Sequence, residues 1–321
     1  MLLEEQGDNQ ISLRKPDTVP PAHLKSRLKK PLLAFYNPLV HRLRHIGGWC
    51  LVFMTRQWSP CEVCGRKGPK RFLQAAVSKE LVAMWGLSAD EARRLRQKES
   101  MICPWCGSKL RGRRLAAVFL RCVGSKADSI EAYRNSEDAG LKTVLILNRV
   151  DGLSERLAGL EGVVQSEFID GAAPGEVVSG ERHEDAQALT FPDHSFDIVI
   201  SSETLEHIPN LDKALEEIAR VLRPGGEHVF TIPLKPGTTR TEPRMRLDEN
   251  GCIVDCMQLR LNHPGGSWGW PVVTEFGDDL PQYLAERGWT VEVDRGDGEL
   301  TNVGVSQFIC PVFVTGKTGL D

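Results

Sequence analysis

The sequence predicts an α/β fold with a mostly parallel sheet, preceded by a small module that a metal ion holds together. Two apolar runs, at residues 196–201 and 229–233, enclose a segment with apolar residues at helical spacing, so the order is strand, helix, strand. Two buried parallel strands this close in sequence require a helical crossover, and ligands of such sheets bind at the carboxyl ends of the strands. Two CxxC pairs upstream predict the metal-binding module.

Charge is distributed unevenly along the 321 residues, although the net charge is only -3. Residues 1–126 carry 24 Lys and Arg against 9 Asp and Glu, and residues 127–321 carry 16 against 34. We therefore divide the chain into a basic N-terminal segment at 1–59, a metal-binding module at 60–126 and an α/β domain at 127–321. A basic front predicts contact with nucleic acid or an anionic surface; a solvated basic face without a partner is the alternative.

No feature of the sequence predicts export or a membrane span. The first ten residues are acidic and lack a hydrophobic stretch, and the longest nearly apolar run, residues 46–54, is too short to cross a bilayer. Nine cysteines, four of them in CxxC pairs, fit a reducing compartment, and we expect a cytoplasmic protein. Residues 23–58 contain seven Lys or Arg and no acid, which predicts peripheral contact with an anionic membrane or a partner, or a helix packed on its own domain.

Two CxxC pairs are each followed directly by glycine, in CEVCG and CPWCG. Each pair places two thiolates on one tight turn, and the glycine lets backbone amides point at the sulfur atoms. Four thiolates close a tetrahedral zinc site with no open position, which is the structural kind; a redox pair is the alternative. Between the pairs, Ser88 with Glu91 three residues later predicts a capped helix. The predicted zinc ligands are Cys61, Cys64, Cys103 and Cys106.

A gap-free stretch of about fifty residues carries a family resemblance. HEDAQALTFPDHSFDIVISSETLEHIPNLDKALEEIARVLRPGGEHVFTIP, residues 183–233, resembles the core of class I S-adenosylmethionine-dependent methyltransferases of the type 11 branch. The resemblance implies a Rossmann-like sheet whose last strand is antiparallel, and S-adenosyl-L-methionine as cofactor. The sequences CEVCGRKGPKRFL and CPWCGSKLRGRRLAAVFL resemble the zinc knuckles that precede the methyltransferase domain in bacterial glycan and natural-product enzymes. There the metal fastens the module to the catalytic domain.

The first predicted strand covers residues 143–148, and the loop that follows it departs from the family pattern. The family loop has an acid and several glycines because its backbone passes close to the carboxylate and amine of the cofactor. This chain has NRVDGLS, with one glycine. Three interpretations stay open: a variant cofactor loop in which Asn148 or Asp151 faces the amine and Gly152 makes the turn, a non-catalytic relative, or a pocket for another ligand.

Further cofactor contacts follow from the resemblance and from chemistry. The end of the second strand, residues 163–169, is where this fold holds the ribose, and a carboxylate is required because both ribose hydroxyls donate. Glu167 is the first choice and Asp170 the second. Asp185 matches the position at which relatives bind the adenine amino group, with the backbone amide of Ala186 on a ring nitrogen. The predicted cofactor contacts are Asn148, Asp151, Gly152, Glu167, Asp185, Ala186 and Ser201.

The sequence ETLEH, residues 203–207, is the sharpest chemical feature. The i, i+3, i+4 spacing of Glu203, Glu206 and His207 predicts that the three side chains project from one face of a helical turn. Two carboxylates with one imidazole suit a divalent ion such as Mg²⁺. The pattern resembles the E-x-x-E-H metal site of ubiquinone-pathway and small-RNA O-methyltransferases, in which the ion activates the acceptor hydroxyl. The alternative is that His207 acts alone as general base or caps the helix.

Residues 235–275 are too long for a plain connection and predict a substrate lid. They resemble the acceptor-site insertion of the same bacterial enzymes. Arg and Trp side chains suit anionic or sugar-like acceptors by paired hydrogen bonds and ring stacking. His263 is a candidate catalytic residue or fourth metal ligand. The predicted substrate contacts are Arg244, Arg246, Trp268 and Trp270.

The sequence therefore predicts a methyltransferase that moves a methyl group from S-adenosylmethionine to a hydroxyl of a small molecule, natural product or glycan. Such a displacement needs alignment of donor and acceptor and removal of the acceptor proton. Two alternatives stay open. The basic front and the zinc module favour a ribosomal or other RNA methyltransferase. The glycine-poor first loop favours a methyltransferase-like protein without catalytic activity.

Overall fold

The structure is a computed structural model of the chain. It describes residues 59–68, 71–72, 77, 79–84, 86–234, 237–249, 253–257, 262–263, 270–296 and 310–318. The basic segment at 1–58, with its predicted contact to a surface or partner, lies outside the described residues. Within these ranges, no helix is both long enough and apolar enough to span a bilayer.

Seven α-helices and one 3₁₀ turn lie within the described ranges. They are α1 (Lys79–Met84), α2 (Ala89–Ser100), α3 (Leu110–Cys122), α4 (Ile130–Arg134), α5 (Leu153–Leu157), the 3₁₀ turn Leu205–His207, α6 (Leu211–Val221) and α7 (Leu280–Ala285). At the start of α2, the Ser88 amide donates to Glu91 Oε2 at 2.8 Å and the Glu91 amide donates to Ser88 Oγ at 3.3 Å. This reciprocal pair confirms the predicted capping box.

The strands of the described residues number sixteen, most of them short. They are β1 (Arg71–Phe72), β2 (Met101–Ile102), β3 (Val144–Ile146), β4 (Val163–Glu167), β5 (Val177–Val178), β6 (Glu181–His183), β7 (Phe196–Ser202), β8 (Leu222–Thr231), β9 (Glu242–Pro243), β10 (Met245–Leu247), β11 (Ile253–Asp255), β12 (Asn262–His263), β13 (Trp270–Pro271), β14 (Thr274–Glu275), β15 (Trp289–Asp294) and β16 (Val312–Lys317).

Eight of these strands form one sheet in the order β15-β16-β8-β7-β3-β4-β6-β5. The neighbours from β8 through β7, β3 and β4 to β6 all pair in parallel. β16 runs antiparallel between β8 and β15, which confirms the predicted antiparallel last strand. The short edge strand β5 adds a second antiparallel neighbour, on β6. The predicted Rossmann-like α/β fold is thus confirmed.

Alternate residues of the central strands face opposite layers of the fold, as the pleat requires. In β3, Leu145 packs in the core beneath α6, whereas Val144 and Ile146 pack on the other side with residues of α3. The helix α6 buries Leu211, Leu215 and Ile218 on the stripe that its helical spacing predicts. Both faces of the sheet are therefore covered, and the ends of its strands are left for a binding site.

The cysteine module does not stand apart from the sheet. Its helix α3 is buried over most of its length, and Leu115 and Phe119 belong to the same core as Val144 of β3. The antiparallel pair β1 and β2 and the helix α2 complete the module at the edge of that layer. The helix that leads out of the second CxxC pair is therefore one of the layers of the α/β fold.

The predicted lid folds into short antiparallel pairs where it is described. β10 pairs with β11, β12 with β13, and β14 with β9. One end of this insertion reaches the 3₁₀ turn, because the Val273 amide donates to the Glu206 carbonyl oxygen at 2.7 Å. The insertion is thereby attached to the segment that carries the ETLEH sequence.

Candidate functional site

A cavity of about 770 Å³ lies at the carboxyl ends of β3, β4 and β7. Residues from these strand ends and from the following loops line one side, which we call the sheet wall: Asn148, Glu167, Phe168, Asp185, Ala186, Ser202, Glu203 and His207. Charged residues of the cysteine module line another side, which we call the module wall: Lys98, Glu99, Lys109 and Arg111. The cavity is where a parallel sheet of this kind binds its ligand.

Glu167, the first choice for the ribose, ends β4 and lines the cavity. Its Oε2 accepts a hydrogen bond from the Arg149 amide at 3.0 Å. Burial raises the pKa of the Glu167 carboxyl above its usual range, while the amides of Arg149 and Phe168 oppose that rise. Phe168 follows it, 47% exposed, and lines the cavity as well. A carboxylate beside an open aromatic face is suited to a nucleoside.

The two residues predicted to meet adenine also lie on the sheet wall. Ala186 is almost fully buried, and Asp185 accepts hydrogen bonds from the amide and the side chain of Gln187. The turn around Asp185 is thereby fixed before any ligand enters. Asp170, the second choice for the ribose, is exposed and does not line the cavity.

The loop after β3 differs from the arrangement that its sequence suggests. Asn148 Oδ1 accepts from the Ser202 amide at 2.9 Å, and its Nδ2 donates to the Ser202 carbonyl at 2.9 Å. The side chain therefore extends the pairing of β3 with β7 by one step. Asp151 lies 3.4 Å from Lys109 Nζ and 3.9 Å from Arg111 Nη2, and it does not line the cavity.

Gly152 faces the cysteine module. Its φ is +73°, and a Cβ built on it would lie 2.0 Å from Ser108 Oγ and 3.1 Å from the Cys106 carbonyl oxygen. A side chain at this position would displace the second CxxC turn. The single glycine of this loop is thus required by the approach of the module.

Ser201 is not brought to the cavity. It is completely buried, and its Oγ lies 2.9 Å from Nε2 of the equally buried His228. His228 stacks on Phe230, and burial lowers the pKa of its imidazole to about 3. Its Nδ1 has no hydrogen-bond partner among the residues that the structure describes. The next residue, Ser202, lines the cavity instead.

Glu203 has a left-handed backbone conformation, with φ of +52°. Lys98 Nζ donates to both of its carboxylate oxygens, at 3.0 and 3.2 Å. Burial alone would lower the pKa of Lys98, but the carboxylates of Glu203 and Glu99 outweigh it and raise the pKa above its usual range. The pair therefore carries both charges and connects the two walls of the cavity.

His207 is oriented by the lid. The Pro271 carbonyl oxygen lies 2.8 Å from His207 Nδ1, and because a carbonyl only accepts, Nδ1 carries the hydrogen. Nε2 is then the nitrogen that can take up a proton, and it lies 3.4 Å from Oε1 of Glu206, whose side chain is completely buried. This geometry suits a general base whose developing positive charge a carboxylate stabilises.

The expectation of one helical face at 203–207 is wrong. Only Leu205–His207 form a 3₁₀ turn, and the left-handed Glu203 lies outside it, so its side chain meets Lys98. Among the residues that the structure describes, the ligand atoms of Glu203, Glu206 and His207 do not gather within reach of one ion. A magnesium ion held by all three would require Glu203 to leave Lys98.

The four cysteines of the CxxC pairs do form such a group, with all ligand atoms within 4.8 Å of one another. The Sγ atoms of Cys61 and Cys106, and those of Cys64 and Cys103, lie 3.7 Å apart. A tetrahedral zinc site with Zn–S bonds of about 2.3 Å has edges of about 3.8 Å. Burial raises the pKa of the Cys64 thiol to about 11, and a bound cation would favour its thiolate. The donor set fits a structural zinc ion.

The predicted acceptor residues are only partly placed. Trp270 is 46% exposed and lines the cavity. Arg244 forms an ion pair with Glu275 within the lid, and Arg246 is exposed away from the cavity lining. Trp268 and the side chain of His263 lie outside the described residues.

Sequence reasoning missed the module wall. Lys98 and Arg111 lie far before the strands of the central sheet in sequence. Both side chains line the cavity, where Lys98 contacts Glu99 and Glu203 and Arg111 contacts Glu99. The excess of cations in residues 1–126 is visible in the sequence, but no local spacing separates these two from the other basic residues of the module. Lys98 lies on α2 and Arg111 on α3, so tertiary packing of these two helices brings them to the site.

Comparison with known proteins is consistent with this geometry. Residues 165–230 match the sequence profile of the family described as "Methyltransferase domain". A 27-O-demethylrifamycin SV methyltransferase from Amycolatopsis mediterranei is 30% identical over 139 residues, which cover 40% of this chain and 48% of that protein. A ubiquinone/menaquinone biosynthesis C-methyltransferase from Hydrogenovibrio crunogenus is 60% identical over 42 residues, 13% of this chain and 16% of that protein.

The chain thus spans about half, or less, of the length of these relatives. Among solved structures, a 1,6-didemethyltoxoflavin-N1-methyltransferase from Burkholderia thailandensis aligns over 78% of this chain and 95% of its own, with 16% identity and a TM-score of 0.38. The sequence match itself supports the resemblance to class I S-adenosylmethionine-dependent methyltransferases: residues 165–230 carry a methyltransferase-domain sequence within a Rossmann-like α/β fold.

Proposed function

We propose that this protein transfers a methyl group from S-adenosylmethionine to a hydroxyl group of a small molecule, natural product or glycan. The observation that carries the proposal is one cavity at the carboxyl edge of the sheet that joins Glu167, Asp185 and His207. The first two suit the ribose and adenine of the cofactor, and the third suits removal of a proton from the acceptor.

The cofactor supplies an electrophilic methyl group on a sulfonium. The chain has to hold donor and acceptor in line and to take up the acceptor proton. His207 Nε2 is the proton-accepting atom, because Nδ1 is committed to the Pro271 carbonyl. The buried Glu206 carboxylate, 3.4 Å away, stabilises the imidazolium that results. Trp270 and Phe168 are exposed within the cavity lining and would keep water from the reacting groups once an acceptor covers them.

The choice of a hydroxyl acceptor rests on this base and on a relative whose name specifies an O-demethylated substrate. Another relative is a C-methyltransferase, so product analysis has to decide the atom. We include in the proposal a structural zinc ion held by Cys61, Cys64, Cys103 and Cys106, since the sulfur separations match a tetrahedron.

One specific observation favours the non-catalytic alternative. The loop after β3 directs neither of its two candidate side chains to the cofactor, because the Asn148 amide is bonded to Ser202 and the Asp151 carboxylate lies beside Lys109. The RNA alternative rests on the basic front, of which residues 1–58 lie outside the described residues, and on the zinc module. Binding of S-adenosylhomocysteine, followed by a search for transfer, separates these cases.

The test is a thermal-unfolding titration of the zinc-loaded chain with S-adenosylhomocysteine. A ligand at a hundred times its dissociation constant adds about 2.7 kcal/mol to the free energy of unfolding. Replacing Glu167 by Gln should reduce that gain, because one of the two accepting oxygens becomes an NH₂ group that only donates and the negative charge is lost. The matched control is Glu155→Gln, at an exposed position of α5. No stabilisation of the wild-type chain at saturating ligand would contradict the proposed function.

A further inference from the structure

The module wall is a mixed-charge surface on the same cavity as the predicted nucleoside contacts. It presents Lys98, Lys109 and Arg111 together with the carboxylate of Glu99, and Glu203 joins it from the sheet wall. The predicted ribose and adenine contacts, Glu167 and Asp185, lie on the sheet wall. A cofactor held there by its nucleoside would have the charged residues of the module available to the part that extends beyond the ribose.

Lys109 and Arg111 are placed by the second CxxC turn. Both follow Cys106 closely, Lys109 just before α3 and Arg111 on it. The turn itself lies against Gly152, where a Cβ would meet Ser108 Oγ at 2.0 Å. Lys109 Nζ lies 3.4 Å from Asp151 Oδ2. These contacts fix the two cations beside the loop that, in the family, binds the amino-acid end of the cofactor through its own backbone.

Arg111 retains donors for a ligand. Within the described residues, its one hydrogen bond runs from Nη1 to Glu99 Oε2 at 3.1 Å, and Nη2 lies 3.9 Å from Asp151. A guanidinium has five N–H donors, so most of them remain for a carboxylate. Lys98, by contrast, is committed to both oxygens of Glu203. Arg111 and Lys109 are thus the cations of this wall that can receive an anion.

We infer that the cysteine module forms part of the cofactor site: Arg111 and Lys109 bind the carboxylate of the cofactor's amino-acid end, in place of the glycine-rich loop that this chain lacks. A wall with cations and carboxylates side by side complements a zwitterion, and Glu99 and Glu203 face the ammonium group. Neither a net anion nor a neutral ligand would match it as well. This inference rests on the proposed function and adds to it.

The experiment compares two ligands by calorimetry on the zinc-loaded full chain. S-adenosylhomocysteine has the nucleoside and the amino-acid end; 5′-methylthioadenosine has the same nucleoside and thioether without the amino acid. Arg111→Gln should weaken binding of S-adenosylhomocysteine by about tenfold to hundredfold, the usual effect of losing a charge-assisted hydrogen bond. Binding of 5′-methylthioadenosine should stay within about twofold of wild type.

Lys109→Gln provides a second variant, since its side chain is partly exposed and its loss disturbs the packing less. The matched control is Arg121→Gln, also on α3, where Arg121 is exposed and pairs with Glu292 and Asp294. It should leave both affinities unchanged. Equal losses for both ligands, or no loss in either variant, would overturn the inference while a wild type that binds both ligands upholds the proposed function. A wild-type chain that binds neither ligand overturns both.

Discussion

The two walls of the cavity are built in different ways. The sheet wall uses side chains at the ends of parallel strands, such as Glu167 and Ser202, whose positions the sheet register fixes. The module wall uses long charged side chains, such as Lys98 and Arg111, from helices that precede the sheet in sequence. One cavity thus combines a wall whose positions strand pairing fixes with a wall whose residues belong to the cysteine module.

Loss of a cysteine ligand should disrupt the module wall more than any other substitution considered. Structural zinc contributes about 10 kcal/mol or more of binding free energy in small zinc modules, so Cys103→Ser should release the metal and unfold the module. We expect loss of bound zinc, measured by elemental analysis, together with loss of S-adenosylhomocysteine binding. The control is Cys256→Ser, at an exposed cysteine outside the cluster. Unchanged affinity in a zinc-free Cys103→Ser protein would show that the module wall contributes nothing to the site.

His207→Gln tests whether the chemistry lies on the sheet wall. Loss of a general base lowers the rate of the chemical step by about a hundredfold or more. We expect that fall in methyl transfer from labelled S-adenosylmethionine to an acceptor found by screening hydroxyl compounds, with S-adenosylhomocysteine affinity unchanged. The opposite result, weak binding with a normal rate at saturation, would assign His207 to the cofactor rather than to the acceptor.

Gly152→Ala tests the contact between the loop after β3 and the second CxxC turn. Gly152 and Gly159 have nearly equal positive φ, +73° and +74°, but a Cβ at Gly152 meets Ser108 whereas a Cβ at Gly159 meets nothing within 4 Å. Both substitutions cost about 1–2 kcal/mol for the left-handed backbone. Overpacking against Ser108 should add about 1–3 kcal/mol at Gly152 alone. Chemical denaturation measures the free energy of unfolding of each variant. Equal losses of stability for the two variants would mean that Ser108 can move aside without cost.

Acid should lower the free energy of unfolding through the buried His228. Burial lowers the pKa of His228 from 6.5 to about 3, so between these values the unfolded chain binds a proton that the folded chain excludes. The free energy of unfolding therefore falls as the pH falls below 6.5, by about 1 kcal/mol over the first pH unit and by about 1.4 kcal/mol per unit below that, until the pH approaches 3. The groups around the ring are Ser201 and Phe230, neither of them charged. His228→Gln cannot take up this proton and should show a flatter pH profile in denaturant titrations.

The sequence predicts the sheet wall because its signals are local. Apolar runs identify β7 and β8, helical spacing identifies α6, and the acid at the end of β4 follows from the chemistry of ribose. One error there has a simple cause: the side chains of a strand alternate, so Ser201 points into the sheet and Ser202 reaches the cavity.

The remaining features depend on tertiary contacts. The left-handed Glu203 is held by Lys98, a partner more than a hundred residues away, so helical spacing within ETLEH could not predict it. The role of Gly152 follows from a turn that belongs to a different part of the chain. The local sequence does not show that the module packs on the sheet.

The close approach at Gly152 has a consequence for how this site can evolve. The space between the second CxxC turn and the loop after β3 is already filled by Ser108 Oγ. A larger residue at either position has to be matched by a smaller one at the other. Across relatives that keep both CxxC pairs, the residues at positions 108 and 152 should therefore covary. Relatives in which the two positions vary independently would be chains whose module does not pack on this loop.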